Sequence, residues 1–324
     1  MERIKFDLKD KKILAELDFN ARESVARIAR KVRLSKEVTL YRIRKLERKG
    51  IIKQYYAVIN SAKLGYRYCR IYVKFQNITK KIETNIINWL RGNPNLAYLG
   101  IGAGFWDMLL GCWVKDMTEF KEFIDEFVFR YGKHILEKEI SVGLYLWQFP
   151  YRVLWNQKGV REFKTGGVLG REEVDKIDRK ILILLTKNAR MSLMDISREV
   201  HLSSKAVQYR IKRLMKRKII AGFRTLVEYK KLGYSNNKVL LYLQNLTKEE
   251  FTRLINYLKS LSPCIYITQP IGKPDLEFEV LTKDREEFFS IIQDLREEFR
   301  SIIRSYDHFI IHEELVSRFI PLIS

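Results

Sequence analysis

Histidine and cysteine are scarce in this chain, with four and three among 324 residues. Cys69, Cys112 and Cys264 lie far apart without Cys-x-x-Cys spacing, which argues against a disulfide framework and against a thiolate metal site. No apolar run approaches the ~18 residues that a membrane span needs. Met1 to Lys12 is too charged for a secretory signal, so a reducing cytoplasm is the expected compartment. No Gly-rich phosphate loop, paired-carboxylate motif or His/Cys cluster stands out, and neither cofactor nor metal is expected. Gly100-Ile101-Gly102-Ala103-Gly104 superficially suggests a nucleotide loop, but it leads into a strand rather than a helix N-terminus.

What is abundant is repetition. Residues 10–66 align without a gap onto 178–234, and 24 of those 57 pairs are identical. Asn20-Ala21-Arg22 recurs as Asn188-Ala189-Arg190, and Lys63-Leu64-Gly65-Tyr66 as Lys231-Leu232-Gly233-Tyr234. Such agreement marks a duplicated unit, so a function of one copy is exercised as a built-in pair. The net charge of +22 is concentrated at matching places. Residues 27–53 carry eleven Lys or Arg against two Glu, and 195–224 carry nine against Asp195 and Glu199. Two basic blocks, rather than mixed signs spread over the surface, point to a polyanion, nucleic acid first.

Each copy opens with three helical segments. Ile13, Leu14 and Leu17 form one stripe, Ser24 caps a short helix carrying Ile28 and Val32, and Ser35 caps a third that runs to Lys49. Gly50 supplies the left-handed residue that ends it, and Lys218 stands at that place in the second copy. Ile51 to Ile59 then reads as a β-hairpin or as paired strands, completing a winged helix-turn-helix. The remainder of each copy reads β-α-β-β-α-β, the ferredoxin-like order, so the fold class is α+β. The expected units are helix-turn-helix over 1–60 and 174–228, ferredoxin-like over 61–150 and 229–324, and a Gly-containing linker over 151–173.

On a helical wheel Thr39, Ile43 and Leu46 face inward, as do Val207, Ile211 and Leu214. Glu37, Tyr41, Arg44 and Arg48 lie opposite, matched by Lys205, Tyr209, Lys212 and Lys216. With Ser35, Lys36, Leu40 and Lys45, and with Ser203, Ser204, Gln208 and Arg213, they are the candidate DNA contacts. Arginine can grip guanine bidentately and other cations neutralise phosphate; a solvated helix face is the plainer alternative. The tyrosine at the centre of both outward faces gains little from water alone. Arg42 and Arg210 flank the buried side and read first as structural ion-pair residues. Glutamine can bond adenine where leucine only touches a thymine methyl, so Gln208 against Leu40 implies two unlike half-sites.

Leu34-Ser35, Arg42-Ile43-Arg44-Lys45-Leu46-Glu47 and Gly50-Ile51-Ile52 resemble the Lrp/AsnC family of transcription regulators. Leu202-Ser203, Arg210-Ile211-Lys212-Arg213-Leu214 and Ile219-Ile220 repeat the match. The resemblance implies a fused dimer of helix-turn-helix and effector domains, bound to double-stranded promoter DNA, with homodimerisation and contacts to basal transcription machinery left open. It also implies amino-acid binding near a Gly-x-x-Asp turn, here Gly104-Phe105-Trp106-Asp107 and Gly272-Lys273-Pro274-Asp275. Gly104, Asp107, Gly272 and Asp275 are therefore candidate effector residues, a plain hairpin turn being the alternative. Two other readings are weighed. One is an architectural DNA-binding protein with little sequence choice. The other is an enzyme similar to siroheme decarboxylases, whose chemistry is associated with histidine; here the histidines are His134, His201, His308 and His312.

Overall fold

The structure is a computed structural model that describes residues 7–157, 161–170 and 172–321. Its elements run in two parallel series. The first holds α1 (Leu8–Phe19), α2 (Val25–Val32), α3 (Lys36–Arg48), β1 (Ile52–Ile59), β2 (Arg67–Phe75), α4 (Lys80–Arg91), β3 (Leu96–Gly104), β4 (Met108–Val114), α5 (Met117–Tyr131) and β5 (Ile135–Gln148). A short α6 (Arg152–Trp155) and β6 (Phe163–Gly166) follow. The second series is α7 (Lys176–Lys187), α8 (Leu193–Val200), α9 (Ser204–Lys216), β7 (Ile220–Val227), β8 (Ser235–Leu243), α10 (Lys248–Ser260), β9 (Cys264–Gly272), β10 (Leu276–Thr282), α11 (Arg285–Glu298) and β11 (Ile303–Ser317).

Side-chain caps decide where the helices begin. Ser24, Ser35, Ser192 and Ser203 each accept a hydrogen bond from the N–H three residues on, satisfying a donor the helix leaves unpaired. Asp7 and Asp175 do the same for α1 and α7. Among the described residues no helix is long and apolar enough to cross a membrane.

Of the hairpin and paired-strand alternatives for residues 51–59, pairing holds, and the partner is the other copy. β1 and β7 run antiparallel, with Ile52 opposite Val227, Ala57 opposite Phe223 and Ile59 opposite Ile220. No turn residue interrupts Ile51–Ile59, so the strand cannot fold back on itself and its backbone groups are satisfied by its counterpart. The ribbon draws both helical units into one core, in which Ile13, Leu14, Ile43 and Leu46 share a cluster with Ile181, Leu182, Ile211 and Leu214.

The remaining strands close on themselves. Each copy has its own four-stranded antiparallel sheet, in the order β5-β2-β4-β3 and β11-β8-β10-β9. Both final strands are long enough to serve two sheets. The later part of β5 pairs with β9, Ser141 opposite Gly272, and the later part of β11 pairs with β3, Ser317 opposite Tyr98. Through these pairings the eight strands close into a barrel, each strand paired with a neighbour on both sides along part of its length. Helices α4 and α5 cover one outer face through Ile86, Leu90, Phe120 and Phe127, and α10 and α11 cover the other through Leu254, Leu258, Phe288 and Leu295. The glycine run in β3 serves this closure: a Cβ on Gly102 would lie 2.0 Å from the Ile310 carbonyl oxygen, and one on Gly104 2.3 Å from that of His308.

Residues 151–173 are not the free linker expected from their glycines. Tyr151, Leu154 and Trp155 are buried in the shared helical core, and β6 pairs with β5, Phe163 opposite Gln148. Aromatic side chains without periodicity gave no strand or helix signal, yet they supply the apolar area that fixes the segment. Residues 158–160 and 171 of that stretch lie outside the described residues.

Candidate nucleic-acid interface

The two capped third helices place their faces as the wheel requires. Thr39, Ile43 and Leu46 are buried, as are Val207, Ile211 and Leu214. Tyr41 and Tyr209 are 59% and 66% exposed at the centres of the opposite faces. Ser35, Lys36, Glu37, Arg44, Lys45 and Arg48 surround the first, with Leu40 half-buried. Ser203, Lys205, Gln208, Lys212 and Lys216 surround the second, and Ser204 is half-buried, its hydroxyl 3.5 Å from that of Ser197. An exposed tyrosine ring flanked by cations offers stacking area, hydrogen bonding and charge to a base edge or backbone.

Arg42 and Arg210 hold the helices rather than face outward. Arg42 donates to Asp7 at 2.7 Å and Asp10 at 2.8 Å, and Arg210 to Asp175 at 2.6 Å and Asp178 at 2.9 Å. These hydrogen bonds raise both guanidinium pKa values. Arg213, expected among the DNA contacts, also makes an ion pair: its guanidinium lies 2.5 Å from the second oxygen of Asp178, with the arginine side chain still 38% exposed. The carboxylate of Asp178 is 1% exposed, so a second cation beside Arg210 offsets its burial. Its counterpart Lys45 is exposed and makes no such pair among the described residues.

The repeated Asn-Ala-Arg triplet, read only as a sign of duplication, forms a reciprocal clamp. Arg22 donates to the Ala189 and Met191 carbonyls at 2.5 and 3.2 Å, and Arg190 to those of Ala21 and Glu23 at 2.6 and 3.0 Å. The Ala21 N–H donates to Phe223 and the Ala189 N–H to Tyr55, tying each triplet to the ribbon strand of the other copy. Six hydrogen bonds of this kind fix the relative placement of the two outward faces. The signal for them was the triplet's identity in both copies.

Gly104 and Gly272 close β3 and β9 just before hairpins that carry the two candidate aspartates. Each carboxylate is already engaged within its own sheet. Asp107 accepts from the Phe75 N–H at 2.8 Å and from Lys74 at 3.0 Å, and Asp275 accepts from the Leu243 N–H at 2.7 Å. This geometry suits a hairpin that locks the first strand to the third. The four histidines are scattered: His201 ends α8 and is exposed, His134 faces the Asn77 carbonyl, and His308 and His312 lie along β11. Among the described residues, no group of three or more His, Cys, Asp or Glu could hold a metal ion.

Comparison with known proteins bears on both units. The AsnC-type helix-turn-helix domain matches residues 174–215, and a winged helix-turn-helix DNA-binding domain matches residues 6–53. The chain is 37% identical to an HTH-type transcriptional regulator of Methanocaldococcus jannaschii, over 35% of this chain and 75% of that protein. It is 31% identical to a leucine-responsive regulatory protein of Rhizobium meliloti, over 38% of this chain and 80% of that one. Over 98% of its length it superposes on the siroheme decarboxylase NirDL, 94% of which is covered, with a TM-score of 0.66 and 13% identity. That last likeness shows a common tandem fold and nothing more.

Proposed function

The chain belongs to the Lrp/AsnC family of helix-turn-helix transcription regulators, and from that membership we propose a two-reader regulator contained in one polypeptide. It binds double-stranded DNA, and α3 and α9 enter successive stretches of major groove as an internal pseudo-dimer. The carrying observation is the reciprocal Arg22 and Arg190 clamp, which joins two exposed, basic, tyrosine-centred helix faces in a fixed relation. Glu37 against Lys205 and Leu40 against Gln208 make the two faces chemically unlike, which supports an asymmetric site with half-sites about one helical turn apart.

Selection of genomic fragments by the purified chain, followed by footprinting at near-physiological salt, tests this. A short, bounded and asymmetric footprint upstream of a few genes is expected. A perfectly palindromic consensus would count against both helices of one chain reading the same site. Indiscriminate retention lost on modest salt addition would favour an architectural protein. Salt dependence alone does not decide, because log affinity falls by ~0.9 for each phosphate neutralised under either reading.

A further inference from the structure

Where the barrel meets the β1–β7 ribbon and β6, the chain forms a half-open cavity of about 190 Å³, far more than the ~10–15 Å³ that one water requires. Its walls are aromatic, with Tyr56, Tyr68, Tyr98, Trp113, Tyr229 and Tyr266 among them. Glu314 of β11 also lines it, and this carboxylate takes part in no hydrogen bond or ion pair among the described residues. Tyr98 and Tyr229 line the same pocket, and burial first and the Glu314 charge second raise their hydroxyl pKa values. Burial and the neighbouring Glu279 push the Glu314 carboxyl up to about 7, against the weaker pull of Lys53 and Lys230.

Two further oxygens point the same way. Asn236 is 2% exposed and its amide N–H donates to Glu279 at 2.9 Å, which leaves its carbonyl oxygen unpartnered in the cavity wall. The Gln148 carbonyl oxygen is likewise unpartnered. Glu279 is not free, since Lys238 sits 3.1 Å from it. On the donor side the Trp113 indole N–H has no partner among the described residues, Arg70 lies beside Glu277, Arg318 is engaged by the carbonyls of Asn93, Pro94 and Leu96, and Arg67 is the remaining cation of the lining. A lone carboxylate, two bare amide oxygens and a ring of tyrosine faces are what a cation requires.

We propose that this cavity binds a small organic ammonium ion with a short aromatic or apolar body, its charge held by Glu314 and its N–H groups by Asn236 and Gln148. The site occurs once per chain. The second-copy residues Glu314 and Asn236 correspond to Leu146 and Tyr68, and Gln148 corresponds to Val316, so the pseudo-symmetric position lacks all three acceptors. Because Tyr56 to Ile59 of β1 form part of the wall, occupancy bears on the ribbon that spaces the two readers. Only that last consequence rests on the regulator reading.

Calorimetric titration of the whole chain with tyramine, in the absence of DNA, tests the site. One tyramine per chain is expected, with 4-ethylphenol, the same body without the ammonium group, at least tenfold weaker. Glu314→Gln should weaken tyramine at least tenfold while thermal unfolding stays cooperative, since the half-buried carboxylate it replaces makes no hydrogen bond or ion pair among the described residues. Asn236→Ala gives a second, smaller loss that does not depend on Glu314. Equal affinity for 4-ethylphenol, indifference to Glu314→Gln, or no binding of tyramine would each overturn the assignment. Tighter binding of L-tyrosine than of tyramine would overturn it in favour of a zwitterion. A chain that fails here and still gives the asymmetric footprint remains a regulator, and the converse leaves the cavity assigned.

Discussion

The ribbon and the barrel mouth lie next to each other, yet the two copies behave differently in them. At the clamp the copies are identical in sequence and reciprocal in contact, Arg22 to Ala189 and Arg190 to Ala21. A few ångströms along the same ribbon the symmetry is gone. Arg224 and Asp18 form an ion pair at 2.9 Å with both side chains 0% exposed, supported by the Tyr151 N–H on Asp18. The corresponding places hold Tyr56 and Thr186, and Tyr56 stacks on Phe319 at 4.0 Å instead. Contacts between the copies that must be made twice keep one sequence. Contacts that fall on the axis, or that involve α6 and the end of β11, need making once and can diverge.

The largest expected effect breaks the diverged side. Asp18→Ala leaves the Arg224 guanidinium buried without its partner and should cost about 3–5 kcal/mol. Thr186→Ala removes only a hydroxyl that donates to the Ile183 carbonyl and should cost about 1 kcal/mol. Denaturant unfolding of the two variants measures the difference. Equal losses would mean that the ion pair is no more structural than the residues that replace it in the other copy.

What the sequence disclosed follows the same division. Repeated features were legible: the helix caps, the Arg42 and Arg210 ion pairs, the β-α-β-β-α-β order and the left-handed end of each third helix all depend on local spacing. Features made across copies were not. Nothing in Ile52 to Ile59 says that its partner is 168 residues away, and nothing in β5 or β11 says that a strand will serve two sheets. The Gly100–Gly104 run could be cleared of phosphate binding by its context, but its purpose, room for β11, needs the neighbouring strand. Arg213 was grouped with the DNA contacts, and its ion pair with the buried Asp178 carboxylate, 35 residues earlier in another helix, has no local signal. The cavity walls are drawn from both copies and from β6, so no local pattern announces them.

An intermediate effect sharpens the comparison between the readers. Tyr41→Ala with Arg44→Ala should lower specific DNA affinity by about 1–3 kcal/mol for each residue and relax choice at one half-site. Tyr209→Ala with Lys212→Ala should do so at the other. Footprints of the two double variants should therefore shrink from opposite ends. Loss spread evenly over the whole site in both cases would show that the faces act through phosphate alone. Leu40→Gln makes the first reader more like the second, and the selected consensus should move toward a palindrome at the base that Gln208 reads.

The smallest effect concerns the ends of the same helices. Gly50 and Lys218 both take left-handed backbone, with φ of +62° and +57°. A side chain there costs about 1 kcal/mol or somewhat more, because Cβ crowds the carbonyl oxygen that follows. Lys218→Gly should therefore stabilise the chain by about 1 kcal/mol, and Gly50→Ala should destabilise it by a similar amount. The two are not mirror images. A Cβ on Gly50 would sit 2.7 Å from the Lys231 ammonium, which donates to the Lys49 carbonyl at 2.8 Å and would have to swing aside. Thermal unfolding of both variants separates the backbone term, common to the two, from this contact, present only in the first copy. If Gly50→Ala costs no more than Lys218→Gly gains, the Lys231 contact contributes nothing to stability and the backbone term alone accounts for both helix ends.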